Sequence, residues 1–472
     1  MTKKEILEKL QNDKDEFRLN YHITPAKGLL NDPNGLVETD GKYYIFHQWN
    51  ENDCEHGLKS WGLFTTDNFI DWKIEGIQLS PTDWYDKNGC YSGSAIVKDN
   101  KIHLIYTGNV RDEKGERESY QCIAIETKEG FEKKGPVISE IPTGYTPHFR
   151  DPKVWEKDEA FYAVIGAQST DLKGEILLYK SDDLLNWEIV GSIYDKKDLG
   201  YMLECPDYFE LDGVGVLLCS PQGLEPEGIL YNNIYQSGYL LGNINYSNGK
   251  GNWNSFTELD RGFDFYAPQT FLDHKGRRIL IAWMGLEGDI HPTIETNNWV
   301  HALTIPRELK IVNNAIYQIP LEEYKMLRDK KIEIENLEID GILEVEGICG
   351  NSFEMIIEVD EFHSNSFGIN FRKSESEKIS LGLENNLICL DRDNTNLLKG
   401  RRYFETDSKS HKFHIFMDKS SIEIFYNDGK EVFTSRLYVS EKSNGIEFFS
   451  NNGKTKFKKI EFYSLKKFNY SI

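Results

Sequence analysis

The chain has 472 residues, 39% of them hydrophobic and 13% aromatic, and carries a formal charge of −22. That length exceeds the roughly 250–300 residues at which one hydrophobic core stops growing, so two domains are expected, and the composition excludes a disordered chain. The charge argues against nucleic acid or an anionic membrane as the main partner.

Residues 1–20 are expected to form a helical extension. They open with "MTKKEILEKLQNDKDEF", which lacks the apolar stretch of a signal peptide, and no run of 18 apolar residues follows anywhere. Ile6, Leu7 and Leu10 are spaced for one face of a short amphipathic helix. Seven cysteines, at 54, 90, 122, 205, 219, 349 and 389, form no CxxC pair and no zinc spacing. Reduced thiols and a cytoplasmic location are the simplest expectation.

Residues 21–320 carry an internal repeat. Five segments share a polar start, a few strand-like residues, a turn and an apolar β-run: "NDPNGLVETDGKYYIFHQ", "YSGSAIVKDNKIHLIYTG", "FRDPKVWEKDEAFYAVIG", "ECPDYFELDGVGVLLCSP" and "YAPQTFLDHKGRRILIAWMG". Their corresponding positions, Asp32, Ser92, Asp151, Glu204 and Tyr266, are 60, 59, 53 and 62 residues apart. About four short strands per unit, repeated five times, predict an all-β fold with a five-bladed β-propeller. The alternative is a sandwich whose hairpins resemble one another by chance. In a propeller the equivalent positions converge on the axis, and three of the five are acids: Asp32, Asp151 and Glu204. Gathering like charges in one funnel opposes stability, so a function is the better explanation.

After about Pro320 the pattern changes. "YQIPLEEYKMLRDKKIEIENL" reads as a linker with a short helical turn. "SIEIFYNDGKEVFTSRLYV" alternates around a hairpin signal at Asn427-Asp428-Gly429, and "NGIEFFSNNGKTKFKKIEFYSL" reads as a second hairpin. Residues 321–472 are therefore expected to form a C-terminal β-sandwich. It carries no chemical constellation, so packing or assembly is its default role.

Two carboxyl groups flanking an acetal are the usual equipment of glycoside hydrolysis, and a third can hold substrate hydroxyls. Trp49, Trp61, Tyr91, Tyr266 and Trp283 lie near the same rim and could stack on sugar faces, each with core packing as its alternative. Asn31, Gln48 and Arg150 could add directed hydrogen bonds. "YSGSA" lacks the flanks of a nucleophile elbow, so Ser92 is read as a hydrogen-bonding group. A metal site is the competing use of clustered acids, but there is no Ca²⁺-binding loop and His is sparse near them, so no metal or cofactor is expected.

At these residues the sequence resembles glycoside hydrolase family 32, the invertases, fructanases and sucrose-6-phosphate hydrolases. The motifs are "NDPNG", "FHQWN", "YSGSA", "FRDPK", "ECPD", "FYAPQTF" and "IAWMG", in the family's order, followed by "SSIEIFYNDG" in the tail. "DKNGCYSGSAIV", "GYTPHFRDPKV" and "SPQGLEPEG…NNIYQSGY" are most similar to the bacterial sucrose-6-phosphate hydrolase branch. The resemblance implies a retaining β-fructofuranosidase with Asp32 as nucleophile, Glu204 as acid/base and Asp151 as the group that holds fructosyl hydroxyls. It places Leu29, Leu30, Asn31, Gln48, Trp61, Tyr91, Ser92, Arg150, Tyr266 and Trp283 against the substrate, a disaccharide, with a homo-oligomer left open.

Two departures bear on specificity. Leu63 stands where the family's Trp-Gly-His has its histidine, and His56 stands where many invertases have a tryptophan. His56, with Lys59 beside it, is a candidate phosphate contact, its alternative being a solvated loop residue. A chain of this charge repels an anionic substrate at long range, so phosphate recognition needs a local basic patch. Arg111, Arg117 and His148 are further candidates. A fructan hydrolase is the enzymatic alternative, and a non-catalytic sugar-binding propeller is the other.

Overall fold

The computed structural model describes residues 1–288 and 290–472. The helix Lys3–Asn12 opens the chain: the Glu5 amide donates to Thr2 Oγ1, and the Thr2 amide donates to the Glu5 carboxylate. This reciprocal cap satisfies two otherwise orphaned donors. Ile6 is buried, and Leu7 and Leu10 pack with it on the core of the first sheet.

The five-bladed β-propeller expected from the repeat is corrected by the sheet topology. Four sheets are blades built from consecutive chain, over 90–138, 145–194, 202–258 and 266–320. The sheet that precedes them is not a further unit of that kind. It is a six-stranded composite in which Gly28–Thr39, Lys42–Asn50, Ser60–Thr66 and Asp71–Leu79 are flanked by Trp299–Val300 and Asn469–Ser471. Both flanking strands pair in parallel with their neighbours. The repeat marks inner-strand motifs rather than closed sheets, and parallel pairing with a distant segment leaves no local signature.

The strands that begin these sheets share a device. Gly28–Thr39, Cys90–Lys98, Tyr145–Lys157, Met202–Leu211 and Tyr266–Leu272 each slip register against the next strand, the first and third of them at two places. The residues left out of the ladder include Asn31 and Asp32, Tyr91 and Ser92, Asp151 and Pro152, Cys205 and Pro206, and Ala267 and Pro268. A bulge bends its strand and re-aims a side chain. Proline suits these sites because no ladder hydrogen bond is asked of its nitrogen. Asp151, Cys205 and Ala267 sit at φ 66°, 46° and 48°, a left-handed conformation that β-carbon-bearing residues adopt at a cost.

The C-terminal half is sandwich-like but hydrogen-bonded as one ten-stranded sheet. Its two long strands, Arg328–Cys349 and Gly445–Leu465, pair along their length. The second hairpin expected in "NGIEFFSNNGKTKFKKIEFYSL" is replaced by a bend. Asp340 pairs with Lys454 and the next residue, Gly341, with Ser450, so three residues bulge out without reversing the chain. Either side of the bend, Gly445–Leu465 pairs with Ser366–Lys373 and with Phe353–Phe362. Phe367, Leu381, Ile415 and Ile424 share its core. The hairpin at Asn427–Gly429 forms as expected, with Tyr426 opposite Glu431.

Charged side chains lock this half onto the blades. His22 is fully buried, its Nδ1 2.9 Å from Asp418 Oδ2 and its Nε2 3.0 Å from Glu423 Oε1. Burial pulls the imidazole pKa down, but the two carboxylates outweigh it and the net direction is up. A group whose folded pKa is raised stabilises fully below its unfolded value, about 6.5, and loses that contribution as pH rises through the folded value. The melting temperature is therefore expected to fall as pH climbs from 6 towards 9, and His22→Gln to flatten that slope. A slope unchanged in the variant would count against a charged His22.

Candidate functional site

Because the bulges face one axis, their side chains meet in a cavity of about 290 Å³. Asp32, Asp151 and Glu204 all line it, with Asn31, Gln48, Tyr91, Ser92, Arg150, Tyr266 and Trp283. A larger opening, about 380 Å³, lies further along the same strands around Leu36, Val154 and Phe209. Its buried Lys153 is engaged by Asp207 at 2.9 Å, and its lining holds no cluster of acids like that of the smaller cavity.

The Asp32 carboxylate is held from both oxygens. Ser92 Oγ donates to Oδ2 at 2.5 Å and Asn31 Nδ2 to Oδ1 at 3.0 Å. Those two donors are tied together, since Asn31 Nδ2 also donates to Gln48 Oε1 at 2.6 Å and Gln48 Nε2 to Ser92 Oγ at 2.8 Å. Lys59 Nζ donates to Asn31 Oδ1 at 2.8 Å, which fixes the orientation of that amide. The chain of donors runs one way and ends on Asp32. Such a network polarises in series and leaves the carboxylate one orientation.

Glu204 is held differently. Arg150 donates to Oε1 from Nε at 3.0 Å and from Nη2 at 2.7 Å. Oε2 accepts from Gln222 Nε2 at 2.9 Å and from Tyr266 Oη at 2.7 Å. Tyr266 Oη also lies 3.3 Å from the Ser220 carbonyl, so it can donate there instead and accept a hydrogen bond from a protonated Oε2. Asp151 Oδ2 accepts from the Cys205 amide at 3.0 Å, and Cys205 Sγ lies 3.6 Å from Asp32 Oδ2. The residue after one acid thus touches the other two.

Burial dominates the electrostatics. It pushes the Asp32 carboxyl up, with Glu204 adding to the rise, while Ser92, Asn31 and Lys59 oppose it. It carries Asp151 to about 7 against the pull of Arg150, and the charges of Glu204 and Asp32 act in the same direction as burial. Burial also brings Lys59 down to about 7. Asp32, Asp151, Glu204 and Glu287 line the cavity against Lys59, Arg117 and Arg150. Of these groups, Asp151 is the acid whose pKa burial carries close to neutrality.

Three of the residues placed against substrate by resemblance lie outside the cavity lining. Leu29 and Leu30 are core residues, and Trp61 is fully buried against Phe46 and Tyr106, its Nε1 donating to the Tyr91 carbonyl. Trp49 is also buried and donates to the Lys27 carbonyl. His56 lines the cavity with its ring edge-on to Trp283, centroids 5.6 Å apart, and 3.2 Å from Lys59 Nζ. Gln222, Tyr235 and Glu287 line the cavity too and were missed. The first two fall inside "SPQGLEPEG…NNIYQSGY", a segment noted only as a branch signature.

The family models described as "Glycosyl hydrolases family 32 N-terminal domain" and "Glycosyl hydrolases family 32 C terminal" match residues 22–320 and 323–464. A sucrose-6-phosphate hydrolase of Bacillus subtilis is 45% identical over 438 residues, covering 90% of this chain and 89% of that protein. One from Staphylococcus xylosus is 41% identical over 474 residues, covering 98% and 96%. Among solved structures, a sucrose-6-phosphate hydrolase from Lactobacillus gasseri superposes with a TM-score of 0.90 at 30% identity, covering 99% of this chain and 97% of that one. A GH32 beta-fructofuranosidase from Bombyx mori gives 0.85 at 31%, covering 100% and 99%.

Proposed function

The chain belongs to glycosyl hydrolases family 32, and on that premise we propose that it is a retaining β-fructofuranosidase hydrolysing sucrose 6-phosphate and sucrose. The observation that carries the reading is the opposed support of two carboxyls in one cavity: Asp32 at the end of a one-way chain of donors, Glu204 against Arg150 and a reversible tyrosine hydroxyl. Asp32 attacks the anomeric carbon of the fructosyl unit. Glu204 protonates the departing glucosyl oxygen, and afterwards takes a proton from the water that releases fructose. Asp151 binds fructosyl hydroxyls and strengthens its hold as positive charge develops on the ring. Trp283 and Tyr266 wall the sugar.

We assign catalysis to residues 21–320, with 1–20 as a helical extension and 321–472 as the sandwich-like domain. All seven cysteines are unpaired, which favours a reducing compartment and hence the cytoplasm. Among the described residues no helix is long and apolar enough to cross a membrane.

The test is product analysis with sucrose 6-phosphate, sucrose and inulin in parallel. Release of fructose from both sucrose forms, first as the β-anomer, is the expected result. Faster hydrolysis of inulin would move the assignment to a fructan hydrolase. Sucrose binding with no glucose released would make the protein a sugar-binding propeller.

A further inference from the structure

Among the described residues, one cation that lines the cavity makes no direct ion pair. Arg150 is held by Glu204, and Lys59 points to Asn31 beside Asp32. Arg117 opens the strand Arg117–Thr127 and lines the same cavity, with its guanidinium carbon 5.6 Å from the centre of the Tyr91 ring. Among the described residues it has no ion pair and no side-chain hydrogen bond, and its Nε is buried without a partner. Burial lowers its pKa, and repulsion from Arg150 and Arg111 lowers it further, although a guanidinium remains charged at neutral pH. Of the two arginines that line the cavity, Arg150 meets a carboxylate at contact distance and Arg117 meets none. A half-buried guanidinium held this way has donors to offer an incoming anion.

His148 stands beside it and also lines the cavity. Arg150 Nη1 donates to His148 Nδ1 at 3.1 Å, so the imidazole proton resides on Nε2. Burial and the neighbouring arginines bring this histidine down to about 4, leaving it a neutral N–H donor at physiological pH. Because Arg150 bridges His148 and Glu204, the pair adjoins the proton donor. If Glu204 protonates the departing oxygen, the sugar that bears it leaves from beside Arg150 and its neighbour His148.

We propose that Arg117 and His148 form an anion subsite for a phosphate monoester on the departing sugar, and that this subsite sets the preference for phosphorylated over plain sucrose. The inference rests on the β-fructofuranosidase reading above. Arg117 offers a planar fork to two phosphate oxygens, and His148 Nε2–H donates to a third. Its local positive field also answers the problem posed by a chain of charge −22, which otherwise repels the substrate. His56 and Lys59, the other candidates, lie on the Asp32 side with Lys59 already engaged.

The test is kcat/KM on sucrose 6-phosphate and on sucrose for the wild type and for Arg117→Gln, Arg117→Lys, His148→Gln and His56→Gln. It is paired with inhibition of sucrose hydrolysis by glucose 6-phosphate. The ratio of the two kcat/KM values is expected to fall roughly 10- to 100-fold in Arg117→Gln, the scale of losing hydrogen bonds to a charged partner. Arg117→Lys should fall between, because it keeps the charge and loses the fork. The inhibition constant of glucose 6-phosphate should rise in step, a readout independent of turnover. An unchanged ratio in both Arg117 variants would overturn the subsite, as would a collapse seen only in His56→Gln. A wild type inactive on both sugars would instead remove the enzymatic reading.

Discussion

Asp32→Asn is expected to lower kcat on sucrose by about 10⁴-fold or more, the scale on which removal of a nucleophile is felt. The substitution changes size hardly at all and leaves Asn31, Gln48, Ser92 and Lys59 in place. What it removes is the charge on which their chain of donors ends. Ser92 and Asn31 both donate to the carboxylate. An amide there must turn its NH₂ towards one of those donors, so it cannot be held in the attacking orientation. The Ser92 hydroxyl already accepts from Gln48 and has limited freedom to reverse. The measurement is fructose release over long incubation, with circular dichroism confirming the fold. A rate within a hundredfold of wild type would sink the assignment of Asp32 as nucleophile.

Arg307→Ala is expected to destabilise the protein by about 3–5 kcal/mol, the cost of leaving buried carboxylates without their cation. Arg307 is entirely buried and faces two acids from different parts of the chain. Nη1 is 3.2 Å from Asp260 Oδ2, and Nη2 is 2.5 Å from Glu423 Oε2. It also donates to Gln318 Oε1 at 2.8 Å and to Thr434 Oγ1 at 2.7 Å, while its guanidinium lies between Phe265 and Phe425. Removing it strands Glu423 between His22 and the Ile305 amide, with nothing to balance Asp260. Combining Arg307→Met with Asp260→Asn and Glu423→Gln should recover most of the loss, since replacing a whole ionic cluster costs far less than breaking it. Denaturant titration of the single and triple variants checks this. A loss under 1 kcal/mol in Arg307→Ala would show that the cluster does not join the two halves.

The chemistry of the site was legible because it sits in short motifs at steady spacing. Asp32, Asp151 and Glu204 each occupy the bulge of an inner strand or border it, and the Pro that follows each within two positions left a visible mark. Residues that enter the cavity from second strands or loops left less. Gln222 ends the strand paired with Met202–Leu211, and Glu287 follows the strand ending at Met284, so neither shares the repeating slot. Trp61 shows the opposite error. It lies two strands out from the inner strand and turns its ring into the core, where a large aromatic is worth more than at the rim. The architecture was read less well than the site. Trp299–Val300 and Asn469–Ser471 are too short to carry a pattern, and their partners lie hundreds of residues away. Nothing local could have announced that they close the first sheet.

That closure governs when the protein can finish folding. Asn469 donates to Asp71 across 398 residues of sequence, and the strand it begins seals one edge of the opening sheet. On a ribosome adding about 5–20 residues per second, roughly 20–80 s separate the emergence of those two edges. Throughout that interval Asp71–Lys73, the part of the rim that Asn469–Ser471 covers, is unpaired and open to a neighbouring nascent chain. That short stretch of sheet edge is therefore exposed to capture until residues 469–471 have been made and docked.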